Sequence, residues 1–445
     1  MPAVEKKSSP VAPTWTGVTL FTALAAIFLF VAVLKFGSPV ILDDKITPPQ
    51  GATAVVLESW PTLWGYWMLA PVLVAGLAAF RWNPTGFRWA LILPLIWLGW
   101  QFLSATQTVN PRLTLMTLRH FSTCCALFYL GCFALRGNMW PLWTALALAL
   151  CWAMRAGFEQ HFGGLEATRH FIYQMKDQSD LPPGLMNDPA YQRRIASTRI
   201  FGTFGGNPDA LAGAIELIMP LTLVFLWRIT PKVRTQIRWL FVAILGGCGL
   251  ACLYWTQSKA GCLVALLMGL FAVWRSCLSV KCKWLAICSI LVLGAAGFGF
   301  RFVATASQAK QKASVTTRYA YWRAALKLAA RRPVLGGGPG TFSALYPTVQ
   351  RPGDDFARLC HNDYLEQACD SGIPGAIAYL AMIVTLISYL YRYRLTNNMD
   401  FSPIFAAWLG VAGLCLHSFV DYQLYVPALA WPMFFLLGFC VKMTN

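Results

Sequence analysis

Twelve long apolar runs constrain this chain more than any other feature of its sequence. Read with a window of about 19 residues, they fall at 14–36, 59–80, 88–104, 120–135, 139–157, 208–227, 237–254, 257–275, 283–301, 372–391, 401–417 and 422–441. Each is close to the roughly 20 residues that carry a helix across the hydrocarbon of a bilayer. The fold class expected is an all-α polytopic membrane protein with about 12 transmembrane helices. Composition argues against a soluble fold. Hydrophobic residues make up 57% of the chain and charged residues 12%, against roughly 45–50% and about 25% in soluble domains. The first run follows Glu5, Lys6 and Lys7 and lacks a small-x-small cleavage site, so it reads as a retained span. Most of the 14 cysteines fall inside the runs, where a thiol packs as a small hydrophobe. Cys360 and Cys369 would lie about 13 Å apart on a helix, too far to bridge, and no structural disulfide is expected.

Charge sets the orientation. With the N-terminus in the cytoplasm, cytoplasmic segments hold 15 Lys and Arg and the short outer segments hold 5. That bias follows the positive-inside rule and places both termini in the cytoplasm. The other 16 of the 36 cations lie in two longer outer segments, 155–206 and 301–371, and long loops are exempt from the rule. The chain thus divides into a membrane domain over 1–300 with a periplasmic segment near 158–206, a periplasmic loop over 301–371, and a second membrane part over 372–445. Such basic loops are either solvated faces drawn to anionic headgroups or parts of a site.

Motifs within the loops tip that balance. Arg199 to Asp209 reads RIFGTFGGNPD and leads into the sixth run. Asn207 suits an N-cap and Pro208 the first helical position. Free N–H groups at that helix start, beside Arg199, would suit a phosphate; the other reading is a capped helix whose glycines only make the turn. Glu216 lies nine residues further on, about 14 Å deep, either functional or a hydrogen bond between helices. Lys259 opens the eighth run, where a cation opposes the helix dipole unless an anion is near; snorkelling is the alternative.

Residues 318–332 read as an amphipathic helix on the outer membrane surface, with Tyr319, Trp322, Leu326 and Ala329 on one face and Arg323, Lys327 and Arg331 in a stripe. The glycine run around Gly338 follows Pro333. Cation stripe and glycine nest together could grip a diphosphate, or simply end a surface helix. His361 and Asn362 then precede the tenth run, and His361 is the sole histidine of the 301–371 loop. His417 and Asp421, four apart, share a face if the eleventh helix continues that far. Asp43–Asp44 and Asp354–Asp355 are the adjacent acids a metal would use; no metal and no cofactor are expected.

These residues resemble the O-antigen ligase/polymerase superfamily, which includes lipopolysaccharide O-antigen ligases, Wzy-type polymerases and some protein O-oligosaccharyltransferases. The resemblance covers about 199–443: GTFGGNP at 202–208, the TQSK start of the eighth run, Arg318 with Tyr321 and Trp322, PVLGGGPG at 333–340, and His361-Asn362 followed by Gly372 and Gly375. It implies a GT-C-like fold and a metal-independent, inverting glycosyl transfer from undecaprenyl diphosphate. In such ligases an arginine before the sixth span, one opening the eighth and a loop histidine are functional; they match Arg199, position 259 and His361. Position 259 departs from the pattern, because Lys is a point charge without a bidentate fork.

The implied chemistry fits those residue types. Charge builds on a leaving diphosphate, where preorganised cations stabilise the transition state more than the ground state; Arg199, Lys259 and Arg318 suit that work. The attacking hydroxyl must lose a proton, which His361 could take, or His361 could only orient a substrate. Arg323, Asn207, Gly338, Asn362, Glu216 and Asp421 complete the candidate site. The implied partners are an undecaprenyl-diphosphate-linked glycan donor, a lipid A–core or carrier-linked glycan acceptor and the lipid bilayer of a bacterial inner membrane, with the site on the periplasmic side and no nucleic acid. A secondary transporter would also carry about twelve spans, but internal repeats with symmetric loops are not visible. A non-catalytic lipid-binding scaffold would not require cations beside glycine turns.

Overall fold

The computed structural model describes residues 17–81, 89–177, 192, 195–306, 314–394 and 402–442. Lys6, Lys7, Arg88 and both chain ends, which entered the charge count, lie outside the described residues. Among the described residues every regular element is a helix. The apolar runs become α1 (Gly17–Lys35), α2 (Thr62–Ala79), α3 (Trp89–Ala105), α4 (Pro111–Phe133), α5 (Trp140–Glu159), α6 (Pro208–Ile229), α7 (Thr235–Trp255), α8 (Lys259–Arg275) and α9 (Val280–Ala306). After these come an amphipathic helix, α10 (Ser314–Arg331), and then α11 (Asp363–Arg394), α12 (Pro403–His417) and α13 (Pro427–Lys442). Seven helices among the described residues are long and apolar enough to cross a membrane by length and composition, and α3, α12 and α13 contribute shorter apolar stretches. With several apolar helices of this length, the protein is a polytopic membrane protein, all-helical among the described residues.

The architecture is built around α13. Its sequence is apolar on every side, the pattern of a helix surrounded by others, and every residue from 427 to 441 is buried. Helices α1, α4, α6, α11 and α12 pack around it. Small residues set the closest approaches. A Cβ at Gly131 of α4 would strike the Phe435 carbonyl, and one at Gly438 of α13 would strike the Phe128 carbonyl. Gly410 of α12 lies in the same way against the Leu217 carbonyl of α6. Without a hydrophobic drive between helices in lipid, such backbone contact is a main source of packing. At the other extreme, none of the apolar window of α9 is buried, and Leu285, Val292 and Leu293 are exposed. That surface suits hydrocarbon.

Beyond α9 a small second core forms outside the helical bundle. Tyr321, Ala324, Ala325 and Leu328 of α10 pack with Phe342, Tyr346, Cys360 and Cys369. Of the face expected to lie on the membrane, Tyr319 and Leu326 are exposed, Trp322 is half-buried and Ala329 is buried, so the face packed on this core is offset from it. Sequence periodicity alone located the helix but not the partner that selects its inner face. This unit rests on α11, which is broken at Gly372 (φ 73°, ψ 177°). A Cβ there would strike the Val334 carbonyl, and the Ile373 N–H donates to Pro333 O at 2.8 Å. The first half of α11, from Asp363 to Ser371, thus turns away from the rest of the helix and carries Asp363, Glu366, Gln367 and Asp370 into the interior. Non-helical backbone of this kind is tolerated at membrane depth where protein covers it.

Candidate functional site

One carboxylate at the start of α6 gathers two distant arginines. Asn207 caps the helix, its side chain accepting from the N–H groups of Asp209 (3.1 Å) and Ala210 (3.3 Å). Pro208 then directs Asp209 into the first turn, where a carboxylate complements the dipole. Arg199 Nη2 lies 3.1 Å from Asp209 Oδ1, and Arg318 Nη2 lies 3.4 Å from Oδ2. Arg199 is held further by its Nε, which donates to Thr256 O at 2.8 Å. Its side chain is 34% exposed while that of Asp209 is 11% exposed, so the guanidinium presents its outer edge and keeps its inner edge anchored.

His361 sits on a second carboxylate. Its Nδ1 lies 2.8 Å from Asp421 Oδ1; the imidazole is 28% exposed and Asp421 is 2% exposed. The ring stacks beside Tyr321, with centroids 5.9 Å apart, and stands edge-on to Tyr422 at 4.6 Å. The backbone at His361 is left-handed (φ 55°), a costly conformation for a non-glycine residue that persists only where its surroundings fix it. Those surroundings are visible. His361 O accepts from Trp322 Nε1 at 3.1 Å, and the next residue, Asn362, is locked at both ends of its amide. Cys360 on the other side is fully buried; burial, with the nearby Glu366 carboxylate, holds its thiol well above the usual range.

The two carboxylates meet at His417. This last residue of α12 places Nδ1 3.0 Å from Glu216 Oε2 of α6, with both side chains fully buried. A nitrogen of His417 and one oxygen each of Asp209 and Asp421 all lie within 4.8 Å of one another. The helix ends at His417, so Asp421 approaches from the following turn and not along a continuous face. The donor set would suit a cation by spacing, yet Asp209 is already engaged by two guanidiniums and Asp421 by an imidazole. It is better described as a polar network joining Arg199, Arg318 and His361.

Several expected site residues are spent elsewhere. The N–H groups of Asp209, Ala210 and Leu211 are all taken by Asn207, so the α6 start is closed to a phosphate and Asn207 acts as a cap. The glycine nest is closed as well: Gly340 and Thr341 N–H groups donate to the Asp370 carboxylate at 2.6 and 3.1 Å, and Gly338 N–H to Asp370 O at 2.8 Å. Gly338 therefore docks a turn and offers no N–H to a diphosphate. Asn362 accepts from Leu365 N–H at 3.0 Å and donates to Phe419 O at 2.7 Å; it caps the first half of α11. Arg323 pairs with Asp354 at 2.9 Å, outside the network. Lys259 is exposed at the start of α8, behind the cap Ser258, with no ion pair among the described residues. Of the adjacent acids, Asp43 accepts from Thr62 N–H and Oγ1, both at 2.6 Å, and so caps α2, while Asp44 lies 3.6 Å from Arg112.

Asp209 was not singled out from sequence, although an acid in the first turn of a membrane helix next to an arginine motif was a signal that could have found it. Residues 244–380 match the family described as O-antigen ligase. That match supports the O-antigen ligase/polymerase superfamily. No curated protein matches the chain. The stretch matched to this superfamily holds Lys259, Arg318 and His361. Arg199, Asp209, Glu216, His417 and Asp421 lie outside it and are joined to it only by the fold.

Proposed function

We propose that this protein is an inverting, metal-independent glycosyltransferase that moves a glycan from an undecaprenyl-diphosphate carrier to an acceptor on the periplasmic side of the inner membrane, with lipid A–core as the acceptor. The observation that carries the reading is the pairing of Arg199 and Arg318 on Asp209 within one network with His361 on Asp421. Two anchored cations beside an oriented imidazole are what this transfer requires. The bond from the sugar anomeric carbon to the carrier diphosphate breaks while an acceptor hydroxyl oxygen bonds to the opposite face. Arg199 and Arg318, with Lys259 nearby in sequence to the Arg199 anchor Thr256, stabilise the charge on the departing diphosphate. Asp421 holds His361 Nδ1–H, which leaves Nε2 as the base for the hydroxyl proton.

A deletion strain tests the acceptor. Accumulation of carrier-linked polymer with bare lipid A–core supports ligation, whereas lipid A–core capped with single repeat units identifies a polymerase. Transfer by purified protein in excess EDTA tests the metal: activity lost to EDTA and restored by magnesium or manganese would contradict this reading. Orientation is tested with a cysteine at Ala344, an exposed residue of the 301–371 loop. It should react with an impermeant thiol reagent in intact spheroplasts, and labelling only after lysis would place the site on the wrong side.

A further inference from the structure

Between the two carboxylates lies a residue that the proposed transfer does not itself use. Asp209 and Asp421 each bring an oxygen within 4.8 Å of the other and of a His417 nitrogen. Both acids are nearly water-free, with side chains 11% and 2% exposed. Two ionised carboxylates at such separation in a protected site repel strongly unless a cation or proton lies between them. His417 is fully buried there, and Glu216 sits behind it at 3.0 Å on Nδ1. His417 Nε2 and Glu216 Oε1 have no hydrogen-bond partner among the described residues, and Glu216 Oε1 faces Gly261 in the first turn of α8.

The charges around His417 can be balanced. Glu216 and Asp209 reach it from α6 and Asp421 from the turn after α12. Asp363 faces it from the head of α11, though its Oδ2 accepts from Leu424 N–H. Arg199 and Arg318 both pair with Asp209, one on each of its oxygens. Against the two guanidiniums, the ionised forms of Glu216, Asp209 and Asp421 leave one negative charge in excess, and an ionised Asp363 would add to that excess. A neutral imidazole would cancel none of it; an imidazolium would cancel one charge.

We infer that His417 is a positioning residue, a buried imidazolium held by Glu216 that lets Asp209 and Asp421 stand side by side as carboxylates and so couples the arginine pair to His361. Neither His417 nor Glu216 touches the substrates in this arrangement. Both act through the acids that aim the groups that do.

The test is charge compensation. His417→Gln keeps a side-chain donor for Glu216 but cannot carry charge. In detergent it should lower the Tm by roughly 5 °C and the turnover of undecaprenyl-diphosphate-linked glycan on the order of a hundredfold, the scale of a misplaced catalytic group. Adding Glu216→Gln removes the buried carboxylate left without its cation, so His417→Gln/Glu216→Gln should regain most of the Tm, while kcat stays low because no cation then lies between Asp209 and Asp421. If the single variant does not accumulate folded, recovery of folded protein in the double variant is the readout. Wild-type values for His417→Gln alone, or a double variant no more stable than the single, would overturn the inference, since a role in packing predicts no recovery. The inference rests on the proposed transfer for its link to catalysis. A wild-type protein that transfers nothing sinks that reading, while the Tm pattern still decides the charge-holding role.

Discussion

His361 Nδ1 lies 2.8 Å from Asp421 Oδ1, across a sequence separation that no helix could close. With Nδ1 committed to the acid, Nε2 is the nitrogen left free to meet the acceptor in the proposed transfer. Asp421→Asn should therefore lower kcat by roughly a hundredfold, as expected for spoiling a general base, with donor affinity nearly unchanged. Adding it to His361→Ala should cost nothing more. Single-turnover rates on the folded variants decide this; equal additional losses in both backgrounds would separate Asp421 from His361.

Arg199 is fastened to Asp209 and to the Thr256 carbonyl, and in the proposed transfer its outer edge would meet the donor diphosphate. Lys can hold one of these partners but not the fork. Arg199→Lys should weaken donor binding by about 1.5–3 kcal/mol, the range for a hydrogen bond to a charged group. Titration with the carrier-linked donor measures it. Wild-type affinity would show that the outer edge of Arg199 does not meet the donor.

Gly338 separates docking from binding. Its φ is 102°, and a Cβ would collide with Thr108. Gly338→Ala should lower the yield of folded protein and its Tm, while the folded fraction binds donor with wild-type affinity. A selective loss of donor affinity at unchanged Tm would return this glycine to the diphosphate site.

Gly372 governs where α11 breaks. Gly372→Ala faces both the positive φ of 73° and the Val334 carbonyl. The conformational cost alone is about 1–3 kcal/mol, and the clash adds to it. Thermal unfolding in detergent should show a clear drop, and turnover should fall with it as the segment from His361 to Asp370 shifts. A fully stable Gly372→Ala would mean that the break is not needed to seat these residues.

The helices were legible in the sequence because hydrophobic length and helix caps are local. The start of α6 follows from Asn207 and Pro208, whereas the sequence reads a loop up to residue 371 and the structure instead begins α11 at Asp363 and breaks it at Gly372. The candidate site residues divide by what the fold does with them. Arg199, Arg318 and His361 stand in motifs that point to phosphate and proton chemistry, and the structure joins them through acids. Arg323, Asn362, Asn207 and Gly338 stand in the same motifs, yet each is committed to a neighbour: Asp354, Phe419, the α6 N–H groups and Asp370. A motif states what a residue can bind, not whether its partner is already inside the protein.

By itself, then, the sequence determined a helical membrane protein, its helix starts and the cationic motifs of the proposed site, since apolar length, capping and charge act over a few residues. Only the tertiary structure decided which polar groups remain available. Asp209 and Glu216 come from α6, His417 and Asp421 from the end of α12 and its turn, and the two segments meet where Gly410 lets α12 rest on the backbone of α6. Burial then makes their charges interdependent, because away from water each carboxylate must find a cation within a few ångströms. That requirement joins Arg199 to His361, and it exists only in the folded chain.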